Sequence, residues 1–184
     1  MARLLGISGS LRKASFNAGL LRAAMELAPD GATLEAGSIS GIPLYNGDDE
    51  REHGIPSAVQ ALKQQLATAD GLLLFTPEYN NSLPGVFKNA IDWLTRPASD
   101  IPSLFGGKPV AVLGASPGGF GTILAQDAWL PVLRTLGTKP WFEGRLLVSR
   151  AQSVFDAEGN LTDETTRQRL AQFIAGFAAF VAGR

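Results

Sequence analysis

Ten consecutive residues carry the first chemical signal of this 184-residue sequence: Gly9-Ser10-Leu11-Arg12-Lys13-Ala14-Ser15-Phe16-Asn17-Ala18. They follow a short apolar run (Leu4, Leu5, Ile7) and precede Leu20, Leu21, Ala24 and Met25 at helical spacing. The segment is therefore expected to turn a buried strand into a helix. Such a turn gathers backbone N–H groups without intrahelical partners and the positive end of a helix dipole. Ser10, Ser15 and Asn17 add hydrogen-bonding side chains, and Arg12 and Lys13 add two cations. Together they suit a small dianion such as a phosphomonoester. The plainer reading is a polar connection in which Asn17 is an ordinary helix N-cap.

A second loop, Thr76-Pro77-Glu78-Tyr79-Asn80-Asn81-Ser82-Leu83-Pro84-Gly85, is dense in turn formers and centres on an exposed aromatic. Its prolines restrict the backbone, so a preorganised edge of peptide groups would hold a planar ligand with Tyr79 on or beside it. A third, Gly114-Ala115-Ser116-Pro117-Gly118-Gly119-Phe120-Gly121, has glycines that permit close approach of backbone to ligand. It contains a formal Gly-x-Ser-x-Gly match at Gly114 to Gly118, but Pro117 lacks the N–H that would complete an oxyanion hole, and the only histidine, His53, lies upstream. Serine hydrolysis is rejected on both grounds. The first loop also fails as a dinucleotide fingerprint, because Leu11 and Arg12 stand where glycine is needed, and no Gly-Lys-Ser/Thr follows for a nucleoside triphosphate. A monophosphate on an organic body fits best.

These loops need a scaffold that brings them together. Short runs rich in Leu, Ile and Val alternate with longer helical patterns, the signature of repeated βαβ units. Strands are predicted near Arg3–Ser8, Thr33–Ser38, Gly71–Thr76, Val110–Ala115 and Trp141–Val148. Between them Ile55, Val59, Leu62 and Leu66 follow Pro56 at helical spacing, and Val86, Phe87, Ala90, Ile91 and Leu94 follow Pro84. A final helix opens at Thr162 as N-cap, with Asp163 and Glu164 in its first turn, and repeats Leu170, Phe173, Ile174, Phe177 and Val181 on one face. The expected fold is α/β, a single domain over residues 1–184: a flavodoxin-like three-layer sandwich around a five-stranded parallel sheet in the order 2-1-3-4-5. In that order the loops after strands one, three and four open at one edge. Ser40 to Gly54 reads as a long acidic surface loop, with Asp48, Asp49, Glu50 and Glu52 solvated and His53 on the surface.

Composition narrows the function classes. A net charge of -1 offers no basic field for nucleic acid, and the absence of cysteine excludes disulfides, thiolate catalysis and cysteine-bound metal. The apolar stretch Leu170 to Ala182 is shorter than the ~20 residues of a membrane span. The start of the chain lacks the hydrophobic run of a secretory signal, so a cytoplasmic location is expected.

The three loops together resemble the NADPH-dependent FMN reductase family, which includes chromate and quinone reductases and some azoreductases. The likeness rests on Gly-Ser-Leu-Arg-Lys-Ala-Ser-Phe-Asn at 9 to 17, on Thr-Pro-Glu-Tyr-Asn-Asn-Ser-Leu-Pro-Gly at 76 to 85 continuing into Lys88-Asn89-Ala90-Ile91-Asp92-Trp93-Leu94, and on Ser-Pro-Gly-Gly at 116 to 119. The resemblance implies non-covalent FMN, NAD(P)H as hydride donor, and a homodimer or homotetramer. It implies that Ser10, Arg12, Ser15, Phe16 and Asn17 hold the phosphate, that Pro77, Glu78, Tyr79 and Asn80 border the isoalloxazine and ribityl chain, and that Ser116, Gly118 and Gly119 close the other side. No side chain is assigned as catalytic acid or base, and no metal ligand is expected. The reaction implied is ping-pong transfer of two electrons through flavin N5 to a quinone, flavin, azo or metal-oxyanion acceptor. A flavodoxin-type electron carrier and a flavin-binding regulatory protein are the competing readings. Trp93 and Phe142 are placed either at a subunit interface or in the core.

Overall fold

The computed structural model describes residues 1–183. Its strands are β1 (Ala2–Ser8), β2 (Ala32–Gly37), β3 (Gly71–Phe75), β4 (Pro109–Ala115), β5 (Lys139–Pro140) and β6 (Leu147–Val148). Its α-helices are α1 (Phe16–Glu26), α2 (Gly47–His53), α3 (Ser57–Thr68), α4 (Gly85–Leu94), α5 (Ile101–Leu104), α6 (Ile123–Thr135) and α7 (Glu164–Ala182). All strand pairs are parallel in the order β2-β1-β3-β4-β5, with β6 also on β4. The expected doubly wound architecture is present.

The sheet divides the core into two apolar layers. On one side α1 and α7 pack Leu20, Leu21, Leu170, Phe173, Ile174 and Phe177 against Leu4, Leu73 and Leu113. On the other, α3, α4 and α6 pack Val59, Leu62, Phe87, Ile91, Trp129 and Leu133 against Leu5, Ile7, Leu72 and Leu74. β3 is buried at every position, as a central parallel strand covered on both faces must be. No helix among the described residues is long and apolar enough to cross a membrane.

Three expectations are corrected, and the alternatives for Trp93 and Phe142 are narrowed. The fifth strand is not continuous over Trp141–Val148: Lys139–Pro140 and Leu147–Val148 pair with the two ends of β4, and the chain leaves the sheet between them. The segment between them folds over the Trp141 ring, which is buried against Phe173 and Phe177 and lies so close to Gly144 that a Cβ there would clash at 2.2 Å. Phe142, at 71% exposure, belongs to no core, whereas Trp93 does, at 1%. The acidic segment Ser40–Gly54 contains α2, started by Asn46, whose side chain accepts from the Asp48 N–H. Its Glu50 is partly buried, bound by Arg96 Nε at 2.8 Å and by the Tyr45 hydroxyl at 2.9 Å. Finally, α7 is capped by Asp163, one residue later than Thr162.

Candidate functional site at the carboxyl edge of the sheet

Parallel strands end together, so the turns after β1, β3 and β4 meet at one edge. The first turn leads into α1, whose N-cap is Ser15 and not Asn17: the Ser15 hydroxyl accepts from the Ala18 N–H at 3.3 Å. The N–H groups of Phe16 and Asn17, at the first two helical positions, have no carbonyl within the helix to bond. Ser10 Oγ accepts from the Arg12 N–H at 3.3 Å and, like Ser15, keeps its proton for donation. Arg12 and Lys13 are exposed and form no ion pair among the described residues. The turn thus presents N–H groups, two hydroxyls and two unneutralised cations. Gly9 is required by contact, since a Cβ there would lie 2.1 Å from the Phe87 ring.

Asn17 has another task. Its Nδ2 donates to the Ala115 carbonyl at 2.8 Å, and its Oδ1 accepts from the Ala115 N–H at 2.9 Å. β3 ends at Phe75, so Ala115 has no strand neighbour on that side, and the Asn17 amide replaces one. The first and third loops are thereby fixed to each other through a buried side chain. A sequence signal for this existed: Asn17 is in register with Leu20, Leu21 and Ala24 on the buried stripe of α1, where a polar residue needs an internal partner.

The second loop is a miniature hairpin. Tyr79 and Ser82 exchange both backbone hydrogen bonds, at 3.0 and 3.1 Å, around Asn80 and Asn81 at φ +50° and +62°. Two successive left-handed residues make a type I′ turn, which asparagine tolerates better than most residues. Tyr79 stands 45% exposed on its outer side. Glu78 points elsewhere: its Oε2 accepts from the Leu124 and Ala125 N–H groups at 2.9 and 3.0 Å. These belong to the first turn of α6, whose preceding residue, Thr122, supplies no side-chain cap. Glu78 therefore caps a helix that begins 45 residues later, which no local pattern in the sequence announces.

The third loop is closed from within. The Ser116 hydroxyl donates to the Gly121 carbonyl, and the Ser116 N–H bonds the Val148 carbonyl at 3.0 Å. The Ala151 and Arg150 N–H groups bond the Ser116 and Gly118 carbonyls. The serine proton is thus engaged in holding the loop, in keeping with the rejection of a nucleophilic role. Gly118 and Gly119 are another matter. Neither has positive φ, and nothing lies closer than 3.5 Å to a Cβ at Gly118 or within 4 Å at Gly119. The fold itself makes no demand for glycine there, and the bare peptide faces open space.

Among the described residues no group of His, Cys, Asp and Glu side chains could hold a metal ion, and His53 ends the exposed helix α2. The arrangement offers anion binding beside a flat, bare peptide edge and an aromatic ring, with no paired acid and base. It fits a phosphorylated planar cofactor: the polar turn of α1 matches the phosphate, and the vacant faces of Gly118 and Gly119 match a ring system that approaches backbone closely.

The chain matches the family model described as NADPH-dependent FMN reductase over residues 2–153. It is 45% identical over 179 residues to an NAD(P)H-dependent FMN reductase of Pseudomonas aeruginosa, covering 97% of this chain and 95% of that protein. Similarity to a 2-hydroxy-1,4-benzoquinone reductase of a Burkholderia species reaches 42% over 178 residues, with 97% and 95% covered. Among solved structures, FerB of Paracoccus denitrificans, a flavoenzyme NAD(P)H:(acceptor) oxidoreductase, superimposes with a TM-score of 0.86 at 34% identity, covering 100% of this chain and 98% of that one.

Proposed function

The chain belongs to the NADPH-dependent FMN reductase family, and from that premise we propose that it is an FMN-dependent NAD(P)H:quinone oxidoreductase. The observation that carries this reading is the joining of an anion-binding helix start to a bare glycine loop through Asn17 and Ala115.

In this reading the N–H groups of Phe16 and Asn17, the hydroxyls of Ser10 and Ser15 and the Arg12 guanidinium hold the FMN phosphate. Arg12 offers a planar fork to two oxygens, while Lys13 adds a diffuse charge. Pro77, Glu78, Tyr79 and Asn80 border the ring and ribityl chain mainly through backbone, because the Glu78 carboxylate is engaged on α6. Ser116 shapes the opposite wall, and Gly118 and Gly119 supply peptide donors to it. FMN held here would supply two-electron chemistry, a hydride passing from NAD(P)H through N5 in ping-pong fashion to a quinone, flavin, azo compound or metal oxyanion. The protein's part is position and electrostatics, so no side chain acts as acid or base. Homodimeric or homotetrameric assembly and a cytoplasmic location complete the proposal.

The deciding experiment is anaerobic stopped-flow reduction of the FMN-loaded protein by NADH and by NADPH, followed by mixing with a quinone. Bleaching by either nicotinamide, reversed by quinone, is expected. A protein that takes up no FMN, or whose bound FMN neither nicotinamide reduces, would refute the proposal.

A further inference from the structure

The chain leaves the sheet between β5 and β6, so β4 has no strand neighbour on that side between Val110 and Gly114. The Val110 carbonyl accepts from the Trp141 N–H and the Gly114 N–H donates to Leu146; Val112, between them in the same alternation, turns its backbone toward the gap. An open sheet edge is a surface that proteins cover. Beside it α6 and the segment 141–146 enclose a groove of about 460 Å³, to which Val112 and Leu133 also contribute. One wall is α6, with Leu124, Asp127 and Leu130 three residues apart on one helix face; Phe142 and Arg145 belong to the other. Leu124, Leu130 and Phe142 are all exposed, so three large apolar side chains gather around one groove. Such a cluster, bordered by charge, marks a contact surface.

The charges select the occupant. Asp127 stands on the helix wall and Arg145 on the loop wall, and neither takes part in an ion pair among the described residues. A two-fold axis through the groove lays the helix wall of one chain on the loop wall of another, so that each acid meets the other chain's base. The patch is therefore complementary to itself. Phe142 obeys the same operation: too open to fill its own groove, it enters that of the facing chain and covers the edge at Val112.

We propose that this groove is an isologous interface with a second copy of the chain, in which Phe142 of each copy fills the other's groove and Asp127 of each pairs with the other's Arg145. The inference rests on the homo-oligomeric assembly proposed above, to which it assigns a surface, and not on bound flavin. The interface adjoins the candidate site at one point, because Leu124 on its helix wall donates its N–H to Glu78 of the second loop.

The test is sedimentation equilibrium of the full chain, with and without FMN. Phe142→Ala should weaken association about tenfold or more, and Asp127→Arg or Arg145→Asp, each of which sets like charges opposite, about tenfold. The double reversal D127R/R145D should recover association to within about threefold of the wild type, which damage to the fold would not do. All three side chains are exposed, so the core is left intact. If the wild type is a tetramer, Phe142→Ala should leave a dimer. A wild type that stays monomeric at roughly 100 μM would overturn both this inference and the assembly it rests on. An assembly unchanged in Phe142→Ala and in both single reversals would overturn this surface alone. Single reversals that weaken association without recovery in the double reversal would overturn the two-fold pairing on which the proposal stands.

Discussion

Replacing Glu78 by alanine removes the only side-chain cap of α6, and the structure sets the size of the effect. One carboxylate oxygen serves two N–H groups. That of Leu124 lies near solvent and can be rehydrated, whereas Ala125 is 0% exposed, so its N–H is left buried and unpaired. Loss of a helix N-cap costs about 1–2 kcal/mol, and loss of a negative charge at the helix start about 0.3–1 kcal/mol. The two overlap, giving a net destabilisation of about 2 kcal/mol. For a chain of this length that corresponds to a fall in Tm of roughly 4–8 °C. Glu78→Gln keeps an acceptor and loses the charge, so its fall should be about 1–3 °C. The assay is thermal unfolding of the FMN-free protein, which removes ligand linkage, together with hydrogen exchange at the two amides. Exchange at Leu124 and Ala125 should accelerate in the order wild type, Gln, Ala. An alanine variant with wild-type Tm and unchanged exchange at both amides would refute the capping role.

Asn17→Ala strands the buried N–H and C=O of Ala115 and should cost about 2–4 kcal/mol, measured by urea unfolding; a loss below about 0.5 kcal/mol would show that the staple is dispensable. Arg12→Ala should weaken FMN binding roughly 5- to 10-fold, a modest effect because the side chain is exposed, and Lys13→Ala less than about 2-fold. Fluorescence titration checks both, and equal effects would contradict the fork assigned to Arg12. For pH dependence, Asp163 is held below its ordinary range first by the Thr166 hydroxyl and then by the Thr166 N–H, Asp156 by the Asn160 N–H, and Glu50 by Arg96. All three carboxyls bind protons less readily folded than unfolded, so they stabilise the fold above their ordinary values of 3.8 and 4.5, and that contribution is lost as pH falls through the lowered folded values. Chemical unfolding at pH 7, 5, 4 and 3 should therefore show little change to pH 5 and a decline below about pH 4, which substituting these residues reduces.

The first four strands and the helices α1, α3, α4 and α7 were legible in the residues because they depend on local periodicity, whereas α2, α5, α6 and the split of the fifth strand were not. A short continuous apolar run such as Gly71–Phe75 suits a covered strand, and the stripe from Leu170 to Val181 suits a helix against the sheet. The strand-to-helix turns marked the candidate site for the same reason, since helix starts expose N–H groups wherever they occur. The partners within that site were not legible. Asn17 meets Ala115 across 98 residues and Glu78 meets Leu124 across 46, and spacing along the chain holds no record of which strand ends converge. Trp141 shows the limit most plainly. Its apolar surroundings read as strand, yet the chain leaves β4 just after it and returns only at Leu147, folding over a ring that packs on Phe173 and Phe177. Period and composition determined which segments are buried and where an anion-binding turn falls. Only the packed structure decided which polar groups pair, because a hydrogen bond is settled by distance and direction in space, whereas burial is settled by the average character of a face.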